Sequence, residues 1–157
     1  MTRVSATFSW SQGRSKYSMS NFIPAGEIIG DKHLLRTVTI SADPSLPDGE
    51  YTFIDTYCTD LKCDCRKTIF LVHHNDIHVS TVDYGWATAA YYRKWAGNPD
   101  DDWPSEMVGV HVTPISPDRV SPEAIEILIR HLLDEKWKAQ IKRHYLLTRL
   151  KTKKVWQ

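Results

Sequence analysis

Lys67-Thr68-Ile69-Phe70-Leu71-Val72-His73-His74, then Asn75-Asp76, then Ile77-His78-Val79-Ser80-Thr81-Val82-Asp83-Tyr84, is the stretch that decides the fold. Two runs rich in β-branched and apolar residues flank a pair of residues that both tolerate φ > 0, which is what a two-residue hairpin turn demands. With a turn of that length, His74 is expected opposite Ile77, His73 opposite His78, Ile69 opposite Val82 and Lys67 opposite Tyr84.

Upstream, Leu34 to Ile40 and Tyr51 to Tyr57 read as strands separated by the turn-rich Asp43, Pro44, Pro47, Asp48 and Gly49. Downstream, Ala87 to Trp95 favours a short helix ended by Gly97-Asn98-Pro99, and Met107 to Thr113 alternates like a strand. Gly85 is expected to supply a φ > 0 bend between hairpin and helix, with Trp86 packed on the core. Ser121 followed by Pro122, with Ile125, Leu128, Ile129 and Leu132 at helical spacing, marks an amphipathic helix, and a last helix covers about Glu135 to Lys151. Strands followed by helices predict an α+β fold, an antiparallel sheet with a central hairpin at about 67–84 and helices, the last two C-terminal, on one face of the sheet.

Residues 1–30 carry Ser, Thr, Gly and scattered aromatics without period and read as a partly ordered arm, leaving 31–157 as one α+β domain. At 157 residues, 41% hydrophobic and 25% charged, the chain can bury a core unaided. No run approaches the roughly 18 apolar residues of a membrane helix. The first residues lack the apolar segment of a secretory signal, so a cytoplasmic location is expected.

The only cysteines, Cys58, Cys63 and Cys65, fall within a few residues of each other, where one strand ends and the hairpin begins. An odd number of thiols in a reducing compartment is a poor disulfide framework, and thiolates clustered in a short loop suit a tetrahedral Zn2+ site. Ordinary buried thiols and a reactive thiol are the competing readings. Lys62 and Arg66 would offset the charge of the thiolates.

Three thiolates leave a fourth position. His73 and His78 lie at the far end of the hairpin, about 26 Å from Cys65 at roughly 3.3 Å per residue, and are excluded. His144 is the favoured fourth ligand, because Trp137, Ile141, His144 and Thr148 form a core-facing stripe of the last helix. His111, His131, Asp60 and Asp64 are the alternatives.

Tyr57-Cys58-x4-Cys63-Asp64-Cys65-Arg66, Tyr84-Gly85-Trp86 and Arg143-His144-Tyr145 together resemble an uncharacterised family of small bacterial proteins. The resemblance spans roughly residues 50–147 and implies that the three islands belong to one site. It supplies no reaction.

Net charge is +1, yet Lys136, Lys138, Lys142, Arg143, Arg149 and Lys151 gather on the last helix without an acidic residue after Glu135. Such a run either solvates a face or meets a nucleic acid or an acidic protein. Two functional expectations follow. One is a zinc-stabilised interaction module; the other is a zinc enzyme with water in the fourth position, with Asp60, Asp64 or a histidine as proton carrier.

Overall fold

A computed structural model describes residues 21–30, 35–97, 100 and 102–156 of the chain. The strands are β1 (Phe22–Pro24), β2 (Arg36–Ile40), β3 (Gly49–Cys58), β4 (Lys67–His74), β5 (Ile77–Gly85) and β6 (Gly109–Pro114). The helices are α1 (Ala25–Ile29), α2 (Ala89–Ala96), α3 (Pro122–Leu132) and α4 (Glu135–Trp156), with a 3-10 turn at Trp103–Met107. All strand pairings are antiparallel, in the order β1-β3-β4-β5-β6, and β2 shares the outer edge of β3 with β1. The α+β class with two C-terminal helices on an antiparallel sheet is therefore as expected.

The hairpin turns at Asn75 (φ 48°) and Asp76 (φ 68°), both left-handed, as a tight turn requires. His74 meets Ile77 and His73 meets His78, but a bulge between Val72 and His73 then shifts the ladder by one. The expected pairs Ile69–Val82 and Lys67–Tyr84 are corrected to Ile69–Asp83 and Lys67–Gly85. The physical reason is that β4 is buried almost throughout, so its side chains lack the in–out alternation that would have fixed one register.

On one face of the sheet, Phe53 and Phe70 pack against Trp137 of α4 with ring centroids 5.8 and 5.1 Å apart. Ser121 caps α3 through the Ala124 amide, and Pro122 occupies its first turn. Ile125 and Ile129 of this helix are fully buried in the same core as Phe53, Phe70, Val82 and Val110.

Pleating puts Lys67, Asp83 and Gly85 on the opposite face. Tyr92 of α2 and Met107 close over that face at Gly85, so helices on one face only is not what the chain adopts. Gly85 is not in the left-handed region, contrary to expectation. A Cβ there would lie 2.0 Å from the Met107 carbonyl oxygen, so close backbone approach is what excludes a side chain.

The expected arm falls largely outside the described residues. Its last part, 21–30, is strand and helix: Phe22 pairs with Cys58, Ala25 is fully buried, and α1 packs on α4. No helix among the described residues is long and apolar enough to cross a membrane.

Candidate metal centre

β3 ends at Cys58, and the chain then loops through Cys63 and Cys65 before β4 begins at Lys67. The loop opens with Thr59, whose amide and hydroxyl both donate to the Asn21 carbonyl, 2.9 Å in each case. Asp60 then turns the chain by accepting from the Lys62 amide at 3.0 Å through Oδ1. These local bonds fold the polar spacer back, and the three sulfurs converge within 4.8 Å of one another. Cys58, Cys63 and Cys65 are 1%, 7% and 0% exposed and form no disulfide.

The thiols share protons. Hydrogen bonds from Cys63 and Cys65 pull Cys58 down to about 3. Donating to Cys58 pushes Cys63 up to about 11, and donating to Cys58 and Cys63 pushes Cys65 up further. A thiolate stabilised by its neighbours in a buried pocket is a ready ligand for a soft cation.

The loop backbone is held from two helices. Arg149 of α4 donates to the carbonyls of Cys63 and Leu61. Tyr91 of α2 donates to the Asp64 carbonyl at 2.5 Å, and Tyr92 to the Arg66 carbonyl at 2.9 Å. The Trp86 amide also reaches the Arg66 carbonyl, at 3.2 Å. Tyr145 of α4 donates to Asp64 Oδ1 at 2.6 Å and accepts from the Arg66 amide at 3.3 Å. Arg66 sits at φ 48°, a left-handed geometry that costs a non-glycine residue about 1 kcal/mol or more, and these bonds hold it there.

Asp64 is thereby a brace. Burial would raise its pKa, but the Tyr145 hydrogen bond and the Arg66 charge outweigh burial and hold it below the ordinary carboxylate value. The Arg66 guanidinium lies 4.0 Å above the Tyr91 ring while pairing with Asp64 Oδ2 at 3.3 Å.

His144 is core-facing as its stripe required, at 5% exposure, but it does not join the sulfur group. Its Nδ1 donates to Asp55 Oδ2 at 2.9 Å, and the same oxygen accepts from the Tyr57 hydroxyl at 2.8 Å. Asp55 projects from the apolar face of β3, and a buried carboxylate there needs donors, which α4 supplies. His111 bonds the Val108 carbonyl and is exposed, as is His131. His73 and His78 face each other with rings 5.4 Å apart, remote from the sulfurs along the hairpin.

Trp86 packs edge-on against Tyr145 at 5.1 Å, a structural role as expected. Tyr91, Tyr92 and Arg149 are the site residues that sequence reasoning missed. Arg149, four residues after Tyr145 on one helix stripe, was the available signal.

Comparison with protein-family models, with curated proteins and with solved structures finds no match to this chain.

Proposed function

We propose that Cys58, Cys63 and Cys65 bind one zinc ion, and that the chain is a zinc-stabilised interaction module rather than an enzyme. The observation that carries this reading is the convergence of three buried sulfurs in a loop whose backbone is braced by α2 and α4. A metal held by buried thiolates adds its binding free energy to the folded state. The enzyme reading has less support, because a zinc-bound water needs a free base. Asp64 is committed to Tyr145 and Arg66, and Asp60 Oδ1 to the Lys62 amide.

The partner surface is the outward face of α4. Lys136, Lys142, Arg143 and Lys151 are exposed there, whereas Arg149 is committed to the loop and Lys138 pairs with Glu135. Leu146 and Leu150, 60% and 58% exposed, interleave with these cations. A phosphate backbone would leave those leucines uncovered, so an acidic protein surface with apolar side chains suits the face better than nucleic acid.

Elemental analysis of the untagged protein should give one zinc per chain, with x-ray absorption reporting three sulfur neighbours. Cys63→Ser should lower the zinc content and destabilise the fold by several kcal/mol, the scale of a lost structural metal. A wild type without zinc, with Cys63→Ser melting normally, would sink the reading. For the α4 face, Arg143→Glu should abolish capture of an acidic partner. Tight binding to arbitrary DNA that weakens steeply with salt would show nucleic acid to be the partner instead.

A further inference from the structure

A tetrahedral zinc ion asks for a fourth ligand, yet among the described residues no histidine or carboxylate joins the three sulfurs. The nearest acidic side chain in sequence, Asp64, has one oxygen on Tyr145 and the other on Arg66. What the loop presents is a three-sulfur donor set, enclosed by the fold, with its spacing fixed from outside by Arg149, Tyr91, Tyr92 and Tyr145.

We infer that this trio also captures three-coordinate thiophilic ions of the As(III) class, binding arsenous acid as a neutral tris-thiolate. This deepens the metal reading and rests on the same sulfurs. Soft thiolates select such ions, and three of them saturate an ion whose preferred coordination number is three.

The exchange is balanced without any redox step. Two S–H bonds, of Cys63 and Cys65, and three As–O bonds break, Cys58 enters as the thiolate and one proton comes from solvent, three S–As and three O–H bonds form, three waters leave, and arsenic stays As(III). The product carries no net charge, so cysteines that are 1%, 7% and 0% exposed can hold it without burying an uncompensated ion. An anionic zinc tris-thiolate in the same place requires a neighbouring cation.

The preformed loop bears on affinity. Bringing three thiols of a flexible peptide together costs conformational entropy on binding, and here that cost falls on folding instead.

The test uses the full chain, reduced and chelator-treated, titrated separately with zinc sulfate and with arsenite in the presence of excess monothiol. One arsenic per chain is expected, with three sulfur neighbours by x-ray absorption and a mass gain of one arsenic less three protons. Cys63→Ser should weaken arsenite capture at least tenfold. It should still bind phenylarsine oxide, which needs only the two remaining thiols, and circular dichroism tells a merely unfolded variant apart. Tyr145→Phe, which leaves all three thiols in place, should weaken arsenite binding several-fold.

Zinc loading without arsenite capture would overturn this inference and leave the zinc reading standing. Failure of both ions would overturn both. Arsenite held by only two sulfurs, or unaffected by Cys63→Ser, would also overturn it.

Discussion

Removing one hydroxyl, in Tyr145→Phe, tests whether α4 positions the sulfur loop. The ring stays, so its contacts with Trp86 and Tyr57, at centroid distances of 5.1 and 6.5 Å, are kept. What is lost is the 2.6 Å donation to Asp64 and the 3.3 Å acceptance from the Arg66 amide. A hydrogen bond to a charged group contributes about 1.5–3 kcal/mol. The Asp64 side chain is 44% exposed and can recruit water, which places the loss at the low end, about 1.5–2 kcal/mol. At roughly 2–4 °C per kcal/mol for a chain of this size, Tm should fall by about 3–8 °C.

The same hydroxyl fixes residues either side of Cys65, so zinc affinity should drop about tenfold, the lower end for groups that orient metal ligands. Urea unfolding and competition with a chromophoric zinc chelator measure the two effects. Asp64→Asn alone and with Tyr145→Phe completes a double-mutant cycle, in which a coupling of about 1 kcal/mol is expected. A Tyr145→Phe protein within about 0.5 kcal/mol of wild type and equal in zinc affinity would refute the idea that α4 holds the loop.

On the other face of the sheet, Lys67 Nζ and Asp83 Oδ2 are 2.9 Å apart with side chains 1% and 8% exposed. Lys67→Met should strand the carboxylate and cost about 3–5 kcal/mol, and Lys67→Met with Asp83→Leu should recover most of it, both read by urea unfolding. Gly85→Ala drives a methyl into the Met107 carbonyl and the Tyr92 hydroxyl and should cost about 3 kcal/mol or prevent folding. Gly30→Ala, with open space around it but a φ of 68°, should cost only about 1 kcal/mol by the same measurement. Burial lowers the pKa of His73, and burial together with the His73 charge lowers that of His78. The unfolded chain then binds protons more readily, so stability should decline as pH falls below about 6.5 and through the depressed folded values. His78→Gln should flatten that slope in melting curves from pH 7 to 5, and an unchanged slope would count against it.

How far the sequence could be read depended on whether the signal was local. The hairpin was legible because both its turn and its two apolar runs are contiguous. Its bulge was not, because β4 buries nearly every residue and one register looks as apolar as the next. The cysteine trio was legible from spacing alone, whereas the loop's braces come from positions some 20 to 88 residues away and need the fold to be seen. One signal was present and went unused. Asp55, Lys67 and Asp83 are charged residues inside strands that otherwise read as buried, and such residues require buried partners. Looking for them would have pointed His144 at Asp55 instead of the sulfurs, since an inward histidine on a helix is the kind of donor a core carboxylate needs.

That pairing also explains how the site acquires its shape. The His144–Asp55 bond fixes the rotation of α4 against β3, and Thr148, one turn on, is fully buried in the same stripe. Successive helical residues are about 100° apart, so Tyr145 and Arg149, each one residue beyond this inward stripe, necessarily project toward its flank. The loop lies on that flank, and both side chains meet it there. The core therefore sets the helix phase, and the helix phase sets the loop. A metal bound by the three sulfurs adds stability to a geometry that the core and the two helices already define, which is why Tyr145→Phe should weaken metal binding even though it removes no ligand.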